Sequence, residues 1–190
     1  MIQPIVEGQG EVEAVPVLLR KLAELMAVAY ADIGRPIRRT RSELVMRDRL
    51  AQAIELARLK PRCSGIFVLF DADDDCLKTL APRIQRWADE LAREIPAAVV
   101  MANREYESWL LHSFASPFPV DPEQIRDAKG LLGERLRHGY SETVDQAKLT
   151  NATDWALVQT KSRSARKLIK AVRGLFAGNG LNPSRWPEGE

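Results

Sequence analysis

Carboxylates gather at three points in this sequence, each directly after an apolar run. The run at 2–6 leads into V-E-G-Q-G-E, with Glu7 at its end and Glu11 four residues on. The run at 66–70 leads into D-A-D-D-D, which holds Asp71, Asp73, Asp74 and Asp75. The run at 97–101 leads into N-R-E-Y-E-S-W, which holds Glu105 and Glu107. Acids crowded together raise one another's pKa or require a counter-ion. Hard oxygen donors favour Mg²⁺, Mn²⁺ or Ca²⁺ over zinc, and Mg²⁺ keeps waters and leaves room for a substrate phosphate. Asp71 and Asp73, two apart in extended chain, are expected on one side, where they would share an ion.

The elements that must carry these acids are set by periodicity. Residues 2–6 read as a short buried strand. Beyond the Gly8–Gly10 turn, Val12, Val15, Leu18, Leu19, Leu22 and Met26 keep a helical stripe, with Pro16 predicting a delayed start or a bend. Residues 36–40 read as a second short strand. A helix begins at about Ser42, its expected N-cap, with Leu44, Leu50, Ile54 and Ala57 on the buried side. After Gly65, five large apolar residues in a row imply a strand buried on both faces. Leu77, Leu80, Ile84, Trp87 and Leu91 mark an amphipathic helix that Asp74 or Asp75 would cap, 97–101 is a fourth strand, and a helix begins at Glu105.

Such alternation predicts an α/β fold with a central parallel sheet of about four strands flanked by helices. The C-terminal ends of those strands lie on one edge, where ligands bind in open α/β sheets. From about 117 the pattern changes. Pro117, Pro119 and Pro122 interrupt the chain, and the residues beyond them read as helical. The expected division is an α/β core over 1–115 and a helical extension over 116–190, loose after Gly178.

Composition narrows the class. With 45% hydrophobic and 28% charged residues the chain is globular rather than disordered or fibrous. The apolar start lacks a charged flank or cleavage site, so no signal peptide is expected. No apolar stretch reaches the roughly 20 residues that cross a bilayer. These features predict a cytoplasmic protein with no membrane partner. Cys63 and Cys76, far from His112 and His138, argue against zinc.

Three other motif readings fail. Gly8 and Gly10 suggest a dinucleotide site, but Glu13 takes the third glycine position and Glu7 and Glu11 would repel a pyrophosphate. A P-loop ATPase would need a G-x-x-x-x-G-K-[S/T], which is absent. A D-x-D-x-T phosphatase would want Thr or Val where Asp75 stands.

The pairing of Val6-Glu7-Gly8-Gln9-Gly10-Glu11 after one strand with Asp71-Ala72-Asp73 after a later one resembles the Toprim domain of primases, topoisomerases and the overcoming-lysogenization-defect (OLD) nucleases. The resemblance covers about 2–110. It is closest to small bacterial Toprim-like proteins related to OLD nucleases, often encoded beside an ATPase, in which R-E-x-E-x-W comes after the fourth strand. It implies a Rossmann-like Toprim fold and a Mg²⁺- or Mn²⁺-dependent nuclease. Glu7 would ligate metal or move a proton, Asp71 and Asp73 would ligate metal, and Glu11 and Glu107 would serve a second ion, with Glu105 hard to separate from Glu107. The implied partners are nucleic acid, DNA in preference to RNA, and an ATPase, in phage defence or DNA processing; a homo-oligomer is compatible. Neither Tyr106 nor Tyr140 comes with the further domains of a topoisomerase, so DNA relaxation is not expected.

Basic residues form two groups. One comprises Arg35, Arg38, Arg39, Arg41, Arg47 and Arg49. The other runs from Lys161 through Arg163, Arg166, Lys167, Lys170 and Arg173 to Arg185, along a helix that Ser164 could cap and whose buried stripe is Ala165, Leu168, Ile169, Val172 and Phe176. Either group fits phosphate-backbone contact, or equally a solvated face or an acidic partner. In the related nucleases a basic residue beyond the Toprim core offsets charge at the phosphate, a role that would fall to Lys161 or Arg163. The acids also have plainer readings, as first-turn residues favoured by helix dipoles and as caps. The alternative function is a non-catalytic, metal-binding adaptor subunit of an ATPase or nucleic-acid complex.

Overall fold

The computed structural model describes residues 1–114 and 120–183. Four strands, β1 (Ile2–Val6), β2 (Ile37–Arg38), β3 (Gly65–Asp71) and β4 (Ala97–Ala102), form one parallel sheet in the order β2-β1-β3-β4. Ile2 pairs with Gly65 and Val6 with Leu69, while Asp71 pairs with Ala102. The ends of β1, β3 and β4 therefore meet along one edge, and the acids just beyond them meet too.

Side chains alternate across the sheet. Ile66, Val68 and Phe70 face α3 (Arg47–Arg58) and α4 (Leu77–Ala92), whose Leu50, Ile54, Ile84 and Ala88 complete that half of the core. Phe67 and Leu69 face the opposite way, toward α1 (Gln9–Leu25) and α9 (Arg163–Gly178). There Val15, Leu18 and Leu22 share one buried cluster with Leu168, Val172 and Phe176. Each such side chain contributes about 1.5–3 kcal/mol when fully buried. The second half of the chain thus forms no core of its own among the described residues. Its α9 shares one of the two layers on the sheet with α1, and α6 (Ala128–Arg135), α7 (Glu142–Ala152) and α8 (Trp155–Lys161) add to the same buried cluster.

Several boundaries differ from expectation for local reasons. Pro16 lies within α1, which nonetheless begins at Gln9; the fixed φ of proline suits a helix, and the costs are one N–H donor and crowding of the carbonyl four residues before it. The helix expected from Ser42 begins instead after Thr40 as α2 (Arg41–Leu44), where Oε2 of Glu43 accepts the Thr40 N–H, and α3 comes next as a separate helix. Ser162, not Ser164, caps α9 by accepting the Ala165 N–H. The helix expected from Glu105 is α5 (Glu107–Leu111). The expected boundary at 115/116, Pro117 and Pro119, and Arg185 with the end of the tail lie outside the described residues.

Candidate functional site

Glu7 stands just past the last residue of β1, and Glu11 in the first turn of α1. A helix start leaves backbone N–H groups without partners. Oε2 of Glu11 accepts two such donors, Gly8 and Glu7, each at 2.9 Å. Only 3% of Glu11 is exposed. Burial pushes its carboxyl up to about 7; the two amides pull it down, and the charges of Glu7 and Glu107 add to the rise.

Asp71 ends β3. Its Oδ1 accepts the Tyr106 N–H at 2.8 Å, and its own N–H donates to Oε2 of Glu7 at 3.3 Å. Burial, then the charges of Glu11, Glu107 and Glu7, raise its pKa well above the usual value, against the opposing charge of Lys129. Glu7 is half-buried and also raised, first by burial. Glu107 begins α5 and is fully buried. Its Oε1 accepts the Tyr140 hydroxyl at 2.6 Å and Nε2 of Gln146 at 3.0 Å, while Oε2 is buried with no hydrogen-bond partner among the described residues. Burial raises its pKa as well, with Tyr140 and Lys129 opposing.

Four of the expected acids, Glu7, Glu11, Asp71 and Glu107, are thus brought into one cluster. Asp73 is not brought into it in the same way. It is exposed and pairs with Nε of Arg41 at 3.2 Å. Its φ of 50° ends the extended alternation that would have set it beside Asp71. Asp75 also pairs with Arg41, and Asp74 binds Arg104 and Arg126, each at 2.9 Å. Neither Asp74 nor Asp75 caps α4, whose N-cap position is Cys76. Glu105 separates from Glu107 by turning to the backbone N–H of Lys129 at 3.2 Å.

One cation at the cluster is a residue the sequence did not indicate. Lys129, from α6, bears on Glu7, Asp71 and Glu107 and pairs with Glu142 at 2.5 Å. Lys161 and Arg163 lie elsewhere. The Lys161 ammonium donates to the His112 carbonyl at 3.2 Å, and Arg163 lines a pocket beside β4. Neither Lys129 nor Tyr140 sits in a motif or a periodic stripe, so no local signal could have singled them out. On the other flank Arg38 donates to the Glu7 carbonyl at 3.1 Å, and Arg41 to the carbonyls of Asp71 and Ala72 at 3.2 Å.

As the side chains stand, no group of three His, Cys, Asp or Glu among the described residues is arranged to hold a metal ion. All four clustered carboxylates are turned toward hydrogen-bond donors of their own fold, Glu7 toward the Asp71 amide. The donor set itself is all oxygen and suits a hard divalent cation. Oε2 of Glu107 and Oε1 of Gln146, both buried without hydrogen-bond partners among the described residues, are atoms such a cation would satisfy.

Comparison with protein-family models, curated proteins and solved structures found no match. Among the described residues no helix is long and apolar enough to cross a membrane.

Proposed function

We propose that the chain is a Toprim-type nuclease, a Mg²⁺- or Mn²⁺-dependent hydrolase of nucleic-acid phosphodiesters. The observation that carries this reading is the convergence of Glu7, Glu11, Asp71 and Glu107 from three strand ends, with a buried carboxylate oxygen that has no hydrogen-bond partner among the described residues. Glu7 and Asp71 would hold the ion, with Glu11 and Glu107 completing its surroundings and Asp73 at the rim. A bound divalent ion supplies Lewis-acid polarisation of the phosphodiester and a more acidic water.

The protein's own groups do the rest. Glu7 is only half-buried and its pKa is raised by burial; in place of ligating the ion it would accept a proton from water as general base. Lys129 offsets negative charge building on the phosphate oxygens. Arg38 and Arg41 line the approach, where they hold a backbone phosphate by charge and without regard to sequence. Its setting in this reading is cytoplasmic, in phage defence or DNA processing, with DNA as substrate and an ATPase as partner.

One observation favours the adaptor reading instead: the clustered carboxylates are largely satisfied by their own fold. The two separate in one assay. Supercoiled plasmid, single-stranded DNA and RNA are incubated with Mg²⁺ or Mn²⁺ and with wild type, Glu7→Ala or Asp71→Ala. Cleavage by wild type, absent in both variants and in chelator, establishes the nuclease. Metal binding that depends on the same residues, without cleavage alone or with an ATPase, establishes the adaptor. No metal binding at all overturns both.

A further inference from the structure

The open edge of β4 borders a cavity of about 350 Å³ between α4 and α9, separate from the carboxylate cluster. Its lining is apolar where Leu77, Ala81, Val99 and Met101 meet. Three exposed cations reach it: Lys78 from α4, and Arg163 and Lys167 from α9. The side chains of these three have no ion-pair or hydrogen-bond partner among the described residues. The two acids at the same cavity are already engaged. Asp121 accepts the Glu123 N–H and faces His112, and Glu123 is buried against the hydroxyls of Ser162 and Ser164. The cavity therefore offers uncommitted positive charge over an apolar surface.

Its backbone is equally specific. The Ile66 N–H donates to the Pro96 carbonyl and the Ala72 N–H to the Ala102 carbonyl, so the even-numbered residues of β4 bond β3. The odd-numbered ones point their N–H and C=O to the open edge. At the lower end this edge is closed by Gln85, which donates to the Ala97 carbonyl at 3.0 Å and accepts the Val99 N–H at 2.7 Å. By the same alternation Met101, two residues on and lining the cavity, turns its donor and acceptor to the open edge, with Asn103 beyond it.

An adjacent N–H and C=O beside apolar side chains reads the edge of a flat heterocycle, and cations a few residues away neutralise phosphate. We propose that this cavity binds a nucleotide, with its base on Val99 and Met101, the Met101 backbone at the base edge, and its phosphates on Lys78, Arg163 and Lys167. The nucleotide is either free or one unit of a strand. Binding in this cavity requires neither metal nor cleavage.

The test is calorimetric titration in chelator, where the carboxylate cluster's proposed chemistry plays no part. The probes are AMP, ATP, inorganic tripolyphosphate, a short oligodeoxynucleotide and a poly-glutamate peptide. The proteins are wild type, Lys78→Glu/Lys167→Glu and Ala81→Trp, each checked for folding by circular dichroism. AMP or ATP binding marks a free nucleotide; oligonucleotide binding without them marks a unit of a strand. In either case binding weakens about tenfold or more in the charge-reversed protein. It is also lost in Ala81→Trp, which fills the apolar floor and spares the cations. The backbone amide of Met101 shifts in the NMR spectrum of wild type on titration, a readout that needs no variant. Tripolyphosphate binding as tightly as ATP and indifferent to Ala81→Trp would reduce the site to a cationic patch and overturn the proposal. Binding of poly-glutamate alone, or of no probe, or shifts that spare Met101, would overturn it as well.

Discussion

The Tyr140 hydroxyl donates a 2.6 Å hydrogen bond to Oε1 of Glu107, joining the helical half of the chain to the acid beyond the last strand. Among the described residues it is one of two side-chain hydrogen bonds on a carboxylate that is fully buried. The bond holds the Glu107 pKa down against burial. Tyr140→Phe therefore raises that pKa further. The expected loss is about 1.5–3 kcal/mol, the range for a hydrogen bond to a charged group. Because the bond favours the ionised form, the loss is larger at alkaline than at acid pH. Urea unfolding of both proteins on either side of neutrality checks it.

Glu11 gives a second pH dependence, of definite sign. Its folded pKa is about 7 against an ordinary 4.5, so between those values the folded chain keeps a proton that the unfolded chain has released. The associated stability is fully present below pH 4.5 and is lost as pH rises toward 7. A shift of that size corresponds to something on the order of 3 kcal/mol. Glu11→Gln still offers an oxygen to the Gly8 and Glu7 amides but has no proton to lose. The stability difference between wild type and this variant in chelator is expected to move in the variant's favour across that window. A difference that does not change with pH would contradict the burial argument.

Cleavage, in the proposed function, responds unequally to the acids. Asp71→Asn and Glu7→Gln are expected to lower the rate about a hundredfold or more, the scale of losing a ligand or a general base. Asp73→Asn lowers it less, since Asp73 stands at the rim with Arg41. Lys129→Met lowers it, whereas Lys161→Ala leaves it near wild type, because the Lys161 ammonium is bound to the His112 carbonyl. Initial rates on plasmid at saturating Mg²⁺ rank the variants.

Divalent-ion affinity depends on the same protons. The clustered acids must be deprotonated to ligate, so binding releases protons and tightens as pH rises. Mn²⁺ titrations in buffers of different ionisation enthalpy are expected to show proton release that fades above the raised pKa of Glu11. Equal affinity at pH values on both sides of it would argue that these acids do not bind the ion.

Gly10 owes its small size to a helix rather than to a phosphate. A Cβ there would lie 2.5 Å from Oε1 of Gln146 and 2.8 Å from the Glu142 carbonyl, so α7 would have to move. Gly10→Ala is expected to cost about 1–3 kcal/mol, the usual range for overpacking. It also displaces Gln146 from Glu107. Unfolding measurements give the first effect, and in the proposed nuclease a reduced cleavage rate gives the second.

The sequence by itself determined the four strands, their parallel alternation with helices, and the meeting of three acidic segments on one edge. Those properties are written locally. The uninterrupted apolar run at 66–70 marks a strand buried on both faces, and the spacing of Leu77, Leu80 and Ile84 marks the helix behind it. Only the tertiary structure decided which acids gather. Asp73 stands apart from Asp71 because one residue adopts a positive φ, a choice that the composition of D-A-D-D-D does not announce. Glu107 was separated from Glu105 by Tyr140 and Gln146, more than thirty residues away. Lys129 reached the cluster, and the later helices became a layer of the common core, through contacts between segments that carry no local pattern linking them. Periodicity records which face of an element is buried; it does not record what that face will meet.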